Sequence, residues 1–397
     1  MIKNISFSNF YSFHEETTLS FELGQKPSKS LYDINFNNER INKVVSIIGS
    51  NGSGKTQLIR PLAFTSWFIS SSYTQLKPDE NIPYKPHSLY NDEISTVNLI
   101  FIMDNVEYKY SLELKDHQVL NESLYQKTSK FYSYIFKRER SNIDEEFTYK
   151  QKGFDLTNKI AKKVKGNASI ISAAYMNDSI ESKKFIDYFT NLFNYNVTMT
   201  GRENYSEPDL IDSAKYFNEN ESISNKMNQI ICDLDLGLSE VKINEVEMQT
   251  EDDRIEKVFV PVGIHSNNEG KSFELAFFDE SSGTKSLFVQ LRRILPILES
   301  GGIVIIDELD SDLHPHMLPV LIELFKFEHT NPHNAQIIFT CHTPEILNIL
   351  KKHQIYLVQK DNLESESWRL DDMVGLRSDD NLYAKYYAGS LGATPNV

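Results

Sequence analysis

Cysteine is nearly absent from this chain. Only Cys232 and Cys341 occur in 397 residues. Neither their number nor their spacing makes a disulfide framework or a zinc site, and a reducing compartment fits. Positive charge is also short: 41 Lys and Arg stand against 56 Asp and Glu, a formal net charge of -15. That balance excludes a surface that is basic all over and weakens any default expectation of tight non-specific nucleic-acid binding. No apolar run approaches the ~18 residues of a membrane span. No internal repeat and no sustained heptads are present, which excludes a solenoid or a long coiled coil. The opening "MIKNISFSNFYSF" lacks a basic region followed by a long apolar stretch. It reads as a first strand, and the chain is expected to stay in the cytoplasm with no membrane partner.

Apolar residues make up 40% of the chain and charged residues 24%, which is the globular range. After the first alternating strands comes the apolar run "KVVSIIG", bounded by Gly49 as buried parallel strands often are. A helix is expected from Lys55, a surface loop over residues 73–92, and a hairpin around the turn "DN" in "STVNLIFIMDNVEYKYSLEL". Residues 122–257 change to tyrosine-rich strands and then helices and are expected to form an α+β insert. From residue 258 strands and helices alternate again, which implies a mostly parallel sheet covered by helices. The expected division is therefore 1–121 and 258–397 as two parts of one head, with 122–257 inserted between them.

The stretch "GSNGSGKT" matches the phosphate-loop pattern, with a buried strand before it and a helix after it. Gly49, Ser50, Asn51, Gly52, Ser53 and Gly54 would turn backbone N–H groups onto phosphate oxygens at a helix N-terminus. Lys55 would reach the β and γ oxygens, and Thr56 would ligate magnesium. "IVIIDE" sets Asp307 and Glu308 at the C-terminal end of an apolar strand, where open α/β sheets present ligand-binding groups. Asp307 there suits the magnesium shell, and Glu308 suits a water that attacks the nucleotide. His342 follows the strand "QIIFTC" and suits the γ-phosphate or that same water. "DSDLHPH" gathers two Asp and two His, yet its spacing matches no metal pattern and a helix is expected to start at Pro315. A second Ser-Gly helix start, "SSGTKSLFVQ", has no lysine where Lys55 follows Gly54, so it is poorly equipped to hold a nucleotide alone. Residues 127–165 hold eleven Lys and Arg against five Asp and Glu, a +6 segment that reads either as a solvated face or as a phosphate-facing patch.

These residues together resemble the ABC-type ATPase heads of the RecF and SMC group, which carry a phosphate loop, a Ser-Gly signature turn, an acidic pair and a switch histidine in this order. More closely, the chain resembles the prokaryotic AAA-family ATPases of abortive-infection and anti-phage loci, the RloA/AbiL type. That likeness is carried by "ISFSNFYSF", "IIGSNGSGKT", "DESSGTKSL", "IIDELDSDLHP", "AQIIFTCHTPEIL" and "YYAGSLGATP". The resemblance implies a P-loop NTPase of α/β class: a mixed-sheet lobe, a parallel sheet with flanking helices, and an insert. It implies ATP and Mg2+ as cofactors, Ser282 and Gly283 as the signature turn, Asp310 and Ser311 in the loop after the acidic pair, and His342 as the switch. Neither Gln118 nor Gln126 sits where such heads place their Q-loop glutamine. The resemblance further implies a homodimer with ATP between protomers and a separately encoded effector, a nuclease or other toxin. The 55 residues after His342 are too few for a Toprim nuclease within this chain. The function expected is a switch or sensor ATPase of an anti-phage, abortive-infection system. A RecF-like or SMC-like ATPase that binds DNA in repair or recombination is the alternative.

Overall fold

A computed structural model describes residues 1–24, 27–234, 237–249, 255–377 and 379–394. Two sheets dominate. The first has seven strands in the spatial order Thr148–Gln151, Tyr132–Glu139, Gln118–Lys127, Val106–Lys115, Ser95–Met103, Ile2–Ser8, Thr17–Ser20, and every neighbouring pair is antiparallel. The second has six, in the order Phe193–Tyr195, Ile303–Ile306, Gln336–Cys341, Val44–Gly49, Ile355–Asp361, Glu364–Arg369. Its first five strands run parallel and the last is antiparallel.

The parallel sheet is buried on both faces, as its unbroken apolar strands require. Successive side chains of a strand point to opposite faces, so alternate residues enter different cores. Val45 and Ile47 join the core shared with the antiparallel sheet and the helix Lys55–Gln75. Val44 and Ile48 join the core under the helix Ser282–Ser300. Ile303 and Ile305 divide from Val304 and Ile306 in the same way. A one-residue slip in any of these strands would exchange the two cores wholesale.

The helix Ser282–Ser300 is capped by Ser281, whose Oγ accepts from Thr284 N at 3.1 Å. It stops at Gly301 and Gly302, with φ of 76° and 121°. Gly302 is required there, because a Cβ would lie 2.3 Å from the Leu192 carbonyl oxygen. The chain then enters the strand Ile303–Ile306 at once.

Residues 122–257, expected as an insert, are woven into both sheets. Gln118–Lys127 crosses the expected boundary as one strand, and Phe193–Tyr195 is the edge strand beside Ile303–Ile306. The reason lies in hydrogen bonding, which a change of composition does not reveal. Buried charge closes the join: Arg138 and Glu122, both fully buried, approach to 3.4 Å, and Glu122 accepts from Tyr110, Ser169 and the Ile170 amide at 3.0, 2.6 and 2.9 Å. The expected loop 73–92 begins three residues later, because the helix runs to Gln75. It also buries Ile82 and Tyr84 in the first core. A long antiparallel hairpin, Leu238–Gln249 with Ile255–Ser266, was not foreseen from composition. Among the described residues no helix is long and apolar enough to cross a membrane.

Candidate functional site

The C-terminal ends of three adjacent parallel strands, Val44–Gly49, Ile303–Ile306 and Gln336–Cys341, deliver the residues singled out by chemistry. After Gly49 the chain turns through Gly52 and Gly54, with φ of 75° and 111°, and Gly54 caps the helix that begins at Lys55. Gly49 admits no side chain, since a Cβ would sit 2.2 Å from the Val358 carbonyl oxygen of the neighbouring strand. The loop rests on Ser365, whose Oγ donates to Ser53 O at 2.7 Å and lies 2.8 Å from Ser12 Oγ, from which it can accept.

A cavity of about 390 Å³ opens over this loop, walled by residues that include Ser12, Gly52, Lys55, Thr56, Glu308, His342 and Lys360. Lys55 is buried, and its Nζ donates to Gly49 O at 2.9 Å and Ser50 O at 3.1 Å. Burial lowers its pKa, against the attraction of Asp307 and Glu308, which raises it. An ammonium desolvated in this way is tightly held by an incoming phosphate oxygen.

Asp307 is buried and fully engaged. One carboxylate oxygen accepts from Thr56 Oγ1 at 2.8 Å and the other from Thr340 Oγ1 at 2.6 Å. Thr340 Oγ1 also accepts from the Glu308 amide at 2.7 Å, so one hydroxyl fixes both acidic residues. Glu308 stands in the left-handed region at φ 53°, a conformation that costs on the order of 1 kcal/mol outside glycine and clusters at functional sites. Its Oε1 faces His342 Nε2 at 3.3 Å, and its Oε2 is ion-paired with Arg202. His342 Nδ1 in turn lies 3.5 Å from Lys55 Nζ.

Thr56 and Asp307 place a hydroxyl and a carboxylate oxygen side by side, the hard-oxygen donors that a magnesium ion takes alongside nucleotide phosphates. The described residues contain no group of three or more His, Cys, Asp and Glu able to hold a metal by themselves. "DSDLHPH" serves the protein instead. Asp310 Oδ2 accepts from the amides of His342 and Thr343 at 2.8 and 2.9 Å, and the helix after it starts at Met317, two residues beyond Pro315.

Ser282 and Gly283 lie outside the cavity. Ser282 is exposed, and Gly283 packs on the 310–312 loop, where a Cβ would come within 2.9 Å of Asp312 O. Ser311 O accepts from Ser286 Oγ at 3.3 Å, which ties the same loop to the same helix.

The fold adds Asn196 and Arg202, which spacing did not flag. Asn196 follows the edge strand and uses its side-chain amide as a ladder partner. Its Oδ1 accepts from Asp307 N at 2.7 Å, and its Nδ2 donates to Asp307 O at 3.0 Å. Arg202 sits six residues on, in a tight hairpin of Val197–Thr198 with Gly201–Arg202. The available signal is a short strand "FNY" followed by Asn196, and it lies inside the expected insert.

The +6 segment disperses. Lys127 pairs with Glu107, Arg138 is buried, Arg140 donates to Val119 O, and Lys165 donates to Leu76 O. Lys130, Lys150, Lys152, Lys159, Lys162 and Lys163 remain exposed.

Residues 44–348 match the family model described as "AAA domain, putative AbiEii toxin, Type IV TA system". A curated relative, "Retron Vc95 probable ATPase" of Vibrio cholerae serotype O1 biovar El Tor, is 24% identical over 396 residues, covering 83% of this chain and 73% of the relative. Among solved structures, an SMC head bound to the C-winged helix domain of ScpA matches with TM-score 0.49 and 13% identity over 94% of this chain and 98% of that one. The SMC head domain from Thermotoga maritima matches with TM-score 0.44 and 14% identity over 93% and 98%. The parallel sheet, phosphate loop and following helix are those of a P-loop NTPase, and with most of its length matched by the family model, the chain belongs to this AAA-domain family.

Proposed function

We propose that the chain is a magnesium-dependent ATPase acting as a switch or sensor subunit of a bacterial anti-phage, abortive-infection system. One observation carries the enzymatic part: Lys55, Thr56, Asp307, Glu308 and His342 are joined, through the Thr340 hydroxyl, into one network of contacts beside the cavity at the strand ends. The phosphate loop would cradle the β and γ phosphates, and Thr56 and Asp307 would hold the magnesium. Glu308 accepts from the attacking water, and His342 orients the γ-phosphate. Catalysis is then positioning and electrostatics. The family description, which names a toxin of a type IV TA system, and the relative's name, a retron ATPase, support the defence setting. A separately encoded effector, nuclease or other toxin, and a cytoplasmic location complete the proposal.

Ser282, exposed, and Gly283, packed on the 310–312 loop, lie at a helix start away from the chain's own cavity and suit a partner protomer's nucleotide. Asp310 and Ser311, tied to His342 and to that helix, would couple the two. The reading is therefore an ATP-sandwiched homodimer that hydrolysis opens. Direct DNA binding in repair or recombination is less favoured, because four of the eleven cations of the basic segment are engaged by the protein's own carboxylates and carbonyls.

Glu308→Gln tests the reading. With ATP and magnesium it should elute as a stable dimer in light-scattering chromatography while hydrolysis nearly stops; a strict monomer would overturn the sandwich. Pull-down of the product of the adjacent reading frame tests the effector. Exchanging Lys162 and Lys163 for glutamate tests DNA contact, which predicts weaker binding and a flatter salt dependence.

A further inference from the structure

Arg202 is delivered to the site by a hairpin pinned at both ends. At one end Asn196 is bonded to the backbone of Asp307 on both sides. At the other, Tyr11 Oη donates to Met199 O at 3.1 Å, and the buried Arg60 lies over the Tyr11 ring at 4.3 Å. This clamps the segment against both the acidic strand and the phosphate-loop helix. Its guanidinium meets Glu308, which walls the cavity.

Both oxygens of Glu308 are taken, Oε2 by Arg202 and Oε1 by His342. Each oxygen keeps a further lone pair for water, so what the ion pair holds is the position of the carboxylate and part of its charge. The arginine is the partner with somewhere to go: its side chain is long, and its buried Nε has no partner. A γ-phosphate at the Glu308 end of the cavity would offer it oxygens spaced for its planar fork.

On the ATPase reading above, we infer that Arg202 is a cation supplied in cis to the γ-phosphate. It exchanges the Glu308 carboxylate for the phosphate oxygens when ATP is bound, so one movement neutralises the charge that develops on the phosphoryl group and leaves the full charge of the carboxylate to the water. It is thus a catalytic residue carried by the hairpin beside the acidic strand.

The test compares full-length wild type with Arg202→Ala and Arg202→Lys in steady-state ATP hydrolysis, in binding of a fluorescent ATP analogue, and in trapping of ADP with aluminium fluoride. Alanine should lower kcat by about a hundredfold or more, the scale of losing one charged donor to a transition state, with affinity within about threefold. It should also abolish trapping of the aluminium fluoride complex, and lysine should restore part of the rate. An unchanged or raised kcat in the alanine variant overturns the inference. So does a joint loss of melting temperature and ATP binding that lysine does not rescue, which would make the pair a structural strut. Failure of the wild type to hydrolyse ATP or trap ADP overturns the ATPase reading itself, and is distinguished by the wild-type arm alone.

Discussion

Asp310 grips Thr343 twice through one oxygen: Oδ2 accepts from the Thr343 amide at 2.9 Å and from its hydroxyl at 2.6 Å. The same oxygen accepts from the His342 amide at 2.8 Å, so the loop that aims the histidine hangs on a carboxylate from the neighbouring strand end.

Asp310→Ala should free that loop. The expected outcome is a fall in kcat approaching a hundredfold, as a misplacement of about 1 Å can cost, with ATP affinity little changed because Lys55 and the phosphate loop are untouched. Steady-state hydrolysis beside equilibrium binding checks it. Asp310→Asn keeps one acceptor and should fall in between.

Thr340→Val removes the hydroxyl that joins Asp307 Oδ1 to the Glu308 amide. Buried polar groups left without a partner cost about 1–3 kcal/mol, and urea denaturation should show a loss of that size. Thr340→Ser should recover most of it. Equal stability of the valine and wild-type proteins would mean that the acidic pair is held by other contacts.

Ser282→Arg separates the two helix starts. Ser282 is outside the chain's own cavity, so the monomer's ATP affinity should stay within about threefold, under ~0.7 kcal/mol. Dimerisation of the Glu308→Gln background and hydrolysis in the wild-type background should both disappear. Intact hydrolysis in the arginine variant would remove the signature turn from the mechanism.

His353 supplies a pH prediction. It is buried with Nδ1 facing Asn42 Oδ1 at 3.1 Å, and burial lowers its pKa from 6.5 to about 4 against the weaker pull of Asp33 and Asp371. The folded protein resists a proton that the unfolded chain accepts. Its contribution to stability is complete above pH 6.5 and is lost as pH falls toward 4, on the order of 3 kcal/mol at most. Unfolding free energies across that window should therefore fall more steeply for wild type than for His353→Gln.

The sequence by itself determined where the candidate residues lie wherever local geometry places them. Gly49 to Thr56 is one turn between a strand and a helix, so its glycines, lysine and threonine are legible in eight consecutive letters. Asp307, Glu308 and His342 each end an apolar strand, and strand ends share an edge in a parallel sheet. The Ser-Gly start of the helix Ser282–Ser300 was legible for the same local reason. Tertiary structure alone decided what met across the chain. Thr340 looked like a strand interior residue until register set it beside Asp307, and Asn196 and Arg202 lay over a hundred residues from the acidic pair they hold. It also broke up the basic segment, because a formal charge in sequence carries no record of the Glu107, Glu122 or backbone carbonyl that consumes it. Periodicity and spacing encode contacts within a turn or a strand. Pairings between strands distant in sequence depend on the whole sheet closing, and no short window contains them.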